Sequence, residues 1–170
     1  MSESDALQPL SVEASRVEED SLFSARGHFE AARSWSKTHL SLGIPTAVIA
    51  GLSGVSALQD APLLAGGLAI IAAALASVAT FVNPSERAAA HHTAGTKFNS
   101  LRNRARFFRE IDLPGPLSIG EKTEQLRTLS QERDEANETS PQITRRAFKR
   151  ARRAIEAGEA RYAIDEEPAS

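Results

Sequence analysis

Hydrophobic and polar positions are sharply segregated along this chain. No charged residue occurs in 38–59 or in 61–85, and Asp60 alone separates these two runs. Their apolar cores, 40–58 and 61–82, contain 19 and 22 residues. At a rise of ~1.5 Å per residue, helices of this length cover about 30 Å, which is the thickness of a bilayer's hydrocarbon core. The pattern therefore predicts two transmembrane helices.

The link between the two predicted spans is too short to cross a membrane, so the spans should form an antiparallel hairpin. Lysine and arginine are concentrated beside the outer ends of this hairpin, whereas the link carries only Asp60. Because positive residues are retained on the cytoplasmic side, both termini are expected to be cytoplasmic. Trp35 and Phe81 would then lie at the cytoplasmic interface. The alternative is a soluble helical hairpin buried within a larger assembly.

The polar ends also predict helices, so the expected fold class is all-α: a two-helix transmembrane hairpin with cytoplasmic N- and C-terminal helices. Residues 1–19 are expected to form an N-terminal tail and the start of the first helix. A cytoplasmic helical region is expected over 84–160, within a domain covering 20–160. The tail 161–170 is expected to be disordered.

Three sequence patterns indicate where helices begin after the second span. Asn83 precedes Pro84, Ser118 precedes Glu121 by three residues, and Ser140 precedes Pro141. Each pattern is typical of a capped helix N-terminus. The helix beginning at Pro84 carries an apolar stripe that predicts contact with a partner. Its members are Phe98, Leu101, Ala105 and Phe108.

Small and hydroxyl-bearing residues recur inside the two predicted spans. Small faces let helix backbones approach closely in lipid, within one chain or between chains. The residues expected to pack in this way are Ala47, Ala50, Gly51, Gly54, Ala69 and Ala73. The hydroxyls either line a narrow wet path in an oligomer or bond to carbonyls of their own helix. They belong to Thr46, Ser53, Ser56, Ser77 and Thr80.

The remaining composition argues against catalysis. There is no cysteine, and no nucleophile elbow, phosphate loop or spaced carboxylate–histidine cluster occurs, so we expect neither an enzyme nor a bound metal or cofactor. His91 and His92 are adjacent, about 100° apart on a helix, and His91 is expected to pack or to form a hydrogen bond between helices. A net charge of −2 argues against general nucleic-acid binding.

Basic residues after the second span are candidates for binding phosphate, either of a cyclic nucleotide or of lipid headgroups. They are Arg87, Lys97, Arg102 and Arg106. The alternative is a solvated basic face beside an anionic leaflet, and the same alternative applies to the basic helix expected after Ser140.

The order of these features resembles the SLATT domains, which are two-transmembrane effectors associated with bacterial nucleotide-signalling systems. The matching residues follow the hairpin directly and are Phe81, Pro84, Glu86, Arg87, His91, Phe98 and Leu101. The likeness covers roughly 20–160, although Phe98 stands where tyrosine is more usual in that family. The resemblance implies a fold and structural roles for these residues.

The same resemblance implies a function. It implies a homo-oligomeric, pore-forming or membrane-disrupting effector of the bacterial inner membrane, acting in antiviral defence by abortive infection. The implied partners are the lipid bilayer and either a cyclic oligonucleotide or a nucleotide-sensing or cyclase protein. The alternative function is a membrane-anchored helical binding module that recruits a partner without permeabilising the bilayer.

Overall fold

A computed structural model describes residues 3–159, and every regular element within that range is helical, which confirms the all-α class. The predicted tail 161–170 lies outside the described residues. The elements, in chain order, are α1 (Glu3–Leu58), α2 (Pro62–Val82), α3 (Pro84–Phe107), a π-helical turn (Phe108–Asp112), α4 (Ile119–Thr139) and α5 (Arg145–Glu156).

The chain divides into two compact units. The hairpin unit is Ala32–Ala89, and the bundle unit is Met1–Ala31 together with Ala90–Ser170. Helix α1 supplies residues to both units, so the predicted single helix from the N-terminal region into the first span is present.

In the hairpin unit, α1 and α2 are joined by a tight link. Asp60 adopts a left-handed conformation with φ 54°, and Pro62 begins α2, where its missing amide proton costs little. Few side chains are buried between the two helices, namely Ser56, Ala65 and Ala72. The Ser53 hydroxyl donates to the carbonyl oxygen of Ala65 at 2.8 Å, which ties the first helix to the second.

Both hairpin helices are long and apolar enough to cross a membrane, by length and composition. Only 6% and 11% of their most apolar windows are buried within the chain. Leu63 is 92% exposed and Phe81 is 89% exposed. A folded domain in water rarely exposes so large an apolar surface, so these faces require lipid or protein around them.

Only one residue separates α2 from α3. Asn83 has φ 44°, which ends α2, and its side-chain amide contacts the Glu86 carboxylate in the first turn of α3. Pro84 is buried and begins α3, as predicted. Arg87 Nε donates to the carbonyl oxygen of Val82 at 2.9 Å. The end of one helix and the start of the next therefore satisfy each other's polar groups.

The bundle unit has two clusters of buried apolar side chains. The first joins α1, α3, the π-helical turn and α4 through Ala14, Val17, Ala105, Phe108, Leu113, Leu126 and Leu129. The second joins α1, α3 and α4 through Ala25, Phe98, Leu101 and Ala136. The apolar stripe of α3, which was predicted to contact a partner, is thus buried in the chain's own core. The partner of α3 is supplied by α1 and α4.

Close backbone approach between α1 and α3 depends on a glycine. A Cβ built at Gly95 would lie 2.8 Å from two ring carbons of Phe29. Two non-bonded carbon atoms do not approach this closely, so the ring can occupy this place only because position 95 carries no side chain.

The start of α4 matches the prediction, whereas the start of α5 does not. Ser118 and Glu121 form a reciprocal capping box at α4. Helix α5 begins at Arg145 rather than at Pro141, because the Thr144 hydroxyl accepts a hydrogen bond from the Ala147 amide at 3.3 Å. Residues 141–144 remain non-helical and allow Ile143 to pack against Gly27.

Candidate functional site

The hydroxyls predicted to line a pore are all hydrogen-bonded within the hairpin unit. Four of them donate to the carbonyl four residues earlier in their own helix, namely Thr46, Ser56, Ser77 and Thr80. Ser53 is the exception and donates across to α2. A hydroxyl whose proton is already donated is inexpensive to place in lipid, and its oxygen can still accept a bond from water.

These hydroxyls do not share one face of the hairpin. Thr46, Ser53 and Ser56 are half-buried or buried on the side of α1 that meets α2. Ser77 and Thr80 are exposed on α2. Of the five predicted positions, these last two are open to a neighbouring molecule.

The predicted small-residue faces are also open. The six residues named from the sequence, Ala47, Ala50, Gly51, Gly54, Ala69 and Ala73, are all exposed. No atom would lie within 4 Å of a Cβ added at Gly51 or Gly54. The contact inside the hairpin instead uses Ala65 and Ala72, which are buried. The surface predicted to pack closely is therefore not used in the contact between α1 and α2 and is open to other helices.

An aromatic–cation pair lies beside the outer ends of the hairpin helices. The Arg87 guanidinium carbon lies 5.0 Å from the centre of the Trp35 ring, and both residues belong to the hairpin unit. With its bond to Val82, Arg87 has two intramolecular contacts. Such a pair combines a cation and an amphipathic ring, which is the combination favoured at a membrane surface.

The other predicted phosphate-binding cations lie in the bundle unit and do not form one cluster. Lys97 is exposed, whereas Arg102 and Arg106 are half-buried. Lys97 and Arg102 are five residues apart on α3, which separates their directions by about 140°. The structure does not bring Lys97 together with the two arginines.

A buried histidine pair lies at the contact between α1 and α3 in the bundle unit. His28 Nδ1 and His91 Nδ1 are 3.0 Å apart, and both residues are buried. The Phe98 ring stacks on His28 at 5.5 Å with an interplanar angle of 13°. The hydrogen bond expected of His91 is therefore present, and its partner is a residue that the sequence pattern did not single out.

Burial and, to a smaller extent, the charge of neighbouring His91 together lower the pKa of His28 from 6.5 to about 4. At neutral pH His28 is uncharged, and one imidazole donates its Nδ1 proton to the other. Within residues 3–159, no three His, Asp or Glu side chains come together as they would around a metal ion. The geometry fits a proton-sensitive structural contact.

No family model, curated protein or solved structure matches this sequence.

A groove of about 530 Å³ lies between α3, the π-helical turn and α4. Its apolar wall includes Phe107, which is 57% exposed, while Asn103 and Gln125 supply polar groups. Ile111, on the adjacent π-helical turn, is also exposed. Phe107 and Ile111 are therefore the large apolar side chains that this region exposes, whereas Phe108 is buried.

Proposed function

We propose that this chain is an integral membrane protein whose hairpin crosses a bacterial inner membrane twice and whose assembled hairpins permeabilise that membrane. The observation that carries the proposal is the exposure of the apolar segments of α1 and α2, whose most apolar windows are only 6% and 11% buried. In water this surface would drive aggregation, whereas in lipid it is the surface required of a span.

The proposed orientation places both ends in the cytoplasm. Arg33 and Lys37 precede the first span and Arg87 follows the second, whereas the link between the spans has no basic residue. Positive residues are retained on the cytoplasmic side during insertion. The pairing of Trp35 with Arg87 and the exposure of Phe81 support an interfacial position for these residues.

Assembly through small residues is the proposed route to permeation. In lipid, helices associate where small side chains let their backbones meet, and Gly51 and Gly54 are open to such contact. The exposed hydroxyls of Ser77 and Thr80 are the candidates for accepting bonds from water in the assembled state. This function needs no catalytic residue.

The setting of bacterial antiviral defence is proposed from the SLATT resemblance. In this proposal a cyclic nucleotide, or the protein that senses or makes it, favours the assembled state over the dispersed one. Such a trigger acts by binding the two states with different affinity, so the change is a shift in population. The result is loss of the membrane barrier in the infected cell.

Dye leakage from liposomes containing the full chain tests this function. We expect leakage from the wild-type chain and its loss in the double variant Gly51→Leu/Gly54→Leu, because leucine blocks close backbone contact. Ala74→Leu is the control, since it adds leucine at an exposed position of α2 that is not among the six predicted packing residues. Equal leakage from the glycine variant and the control would contradict assembly through this face.

The groove beside Phe107 favours a second function, that of a membrane-anchored module that recruits a partner. This function predicts that cells expressing the chain keep their membrane potential. It also predicts that Phe107→Ser abolishes recruitment of the partner, whereas Gly51→Leu/Gly54→Leu leaves recruitment intact. Recording membrane potential during induced expression separates the two functions.

A further inference from the structure

Helix α5 presents a continuous cationic arc. Successive residues of a helix are 100° apart, so its six basic residues occupy about 160° of its circumference. They are Arg145, Arg146, Lys149, Arg150, Arg152 and Arg153, and all six are exposed. Glu156 is the only acidic residue of the helix.

The cations of α5 differ from those elsewhere in the bundle unit in having few acidic partners. Arg104, Arg109 and Arg133 form ion pairs with acids of other helices. Among residues 3–159, α5 contributes one ion pair, between Arg152 and Glu156 at 2.7 Å. Within that range, the other five guanidinium or ammonium groups of α5 form no ion pair.

Helix α5 also carries its charge where charge is unfavourable for the helix itself. Arg145 and Arg146 lie in the first turn, which contains no acidic residue. The helix macrodipole places partial positive charge at that end, so two further cations there oppose it. Helix stability alone therefore does not account for this arrangement.

The opposite face of α5 fixes the helix on the bundle. Ala147 and Ala151 are buried, and the Phe148 ring lies 6.4 Å from the Phe23 ring. Arg26 donates to the carbonyl oxygen of Glu159, just beyond the end of α5, at 2.9 Å. The cationic arc is held outward by this packing, and Phe148 remains partly exposed at its edge.

We propose that the cationic arc of α5 binds anionic phospholipid headgroups at the membrane surface. This inference rests on the proposed membrane insertion of the hairpin, which keeps α5 covalently tethered near a bilayer and so raises its effective concentration there. Several cations beside a partly exposed aromatic ring match an anionic lipid surface. Nucleic acid is the less favoured polyanion, because α5 carries a single aromatic side chain, Phe148, whereas proteins that bind single-stranded nucleic acid stack successive bases on several such rings.

The test uses the full chain in phosphatidylcholine nanodiscs, mixed with sucrose-loaded vesicles that can be sedimented. Vesicles of phosphatidylglycerol and phosphatidylcholine in equal parts should capture the nanodiscs, whereas pure phosphatidylcholine vesicles should not. Each neutralised cation should weaken capture about fivefold, which corresponds to the usual contribution of one basic residue near an anionic surface. High salt should abolish capture.

Arg146→Gln/Lys149→Gln is the test variant, and Arg16→Gln/Arg127→Gln is the control with the same change in charge. The control cations are exposed and lie on α1 and α4. Neutralising Arg146 removes an unfavourable charge from a helix N-terminus, so the test variant should fold normally. Equal capture of the two variants would overturn the proposal. Stronger binding of a DNA or RNA oligonucleotide than of the anionic vesicles would overturn it as well.

If the hairpin does not insert into membranes, a separate observation shows it. A chain that stays dispersed in buffer without lipid or detergent does not span membranes. The same sedimentation is then performed with the free chain. Phosphatidylglycerol-dependent capture that is lost in Arg146→Gln/Lys149→Gln still supports lipid binding by α5, and its absence overturns that binding too.

Discussion

His28 and His91 share a hydrogen bond between their Nδ1 atoms in the buried contact of α1 with α3. Such a bond requires one ring to donate and the other to accept, so it cannot form when both rings are protonated. A second proton would also place two positive charges in a site with little water. Protonation of both rings therefore weakens the contact of α1 with α3.

Acid is expected to destabilise the bundle unit through His28. The pKa of His28 is about 4 in the folded chain and 6.5 ordinarily, so between these values the unfolded chain binds more protons. Stability contributed by neutral His28 is complete above pH 6.5 and is lost as pH falls towards 4, with a slope approaching about 1.4 kcal/mol per pH unit. Denaturant unfolding in detergent, followed by circular dichroism at several pH values, measures this slope.

His28→Gln should flatten the slope over that range. His39→Gln is the control, because His39 is an exposed histidine of the same helix. An unchanged slope in His28→Gln would assign the acid sensitivity to another group.

Gly95→Ala is expected to destabilise the chain by about 1–3 kcal/mol, because the added methyl overlaps the Phe29 ring. Gly120→Ala is the matched control in α4. Its added methyl meets only the Ser118 hydroxyl, at 3.9 Å, and alanine favours the helix by about 0.5–1 kcal/mol. The two substitutions should therefore shift the unfolding midpoint in opposite directions. A neutral Gly95→Ala would show that the ring has room to move.

Ser53→Ala should weaken the hairpin by about 0.6 kcal/mol, the average measured for hydrogen bonds between membrane helices. It removes the hydroxyl that joins α1 to the Ala65 carbonyl. Ser77→Ala removes a hydroxyl that bonds only within α2, so it should have less effect. Unfolding by titration with a denaturing detergent compares them. A larger loss of stability in Ser77→Ala than in Ser53→Ala would contradict this prediction.

Ser118→Ala should lower the free energy of unfolding by about 1 kcal/mol, because it removes the hydroxyl that caps α4. The same hydroxyl also donates to the Glu121 carboxylate at 2.7 Å and so lowers the pKa of Glu121, with a further contribution from the Ser118 backbone amide. NMR titration of Glu121 should therefore show a higher pKa in the variant. Thr128→Ala, which removes a hydroxyl bonded only to its own helix, should leave that pKa unchanged.

The helices were predictable where a local pattern determines them. Uninterrupted apolar runs marked α2 and the second half of α1, and the spacing of Ser118 and Glu121 marked the capping box of α4. Proline after Asn83 marked the beginning of α3. These signals lie within a few residues of the feature they predict.

The features that were missed depend on contacts between distant segments. His28 has no local signal, because its partner His91 lies 63 residues away. The apolar stripe around Phe98 was recognised, but a single helix pattern does not reveal whether its partner belongs to the same chain. The start of α5 was placed too early because Ser140–Pro141 resembles a cap as closely as Thr144 does.

The two hairpin helices hold each other through few groups. Among the described residues, Ser53 is the one side chain that donates a hydrogen bond from α1 to α2, and the residues buried beside it are small. The pairing of α1 with α2 therefore depends on one polar bond and on the close approach of small side chains, so a single substitution at Ser53 or at Ala65 changes a large share of all that joins them.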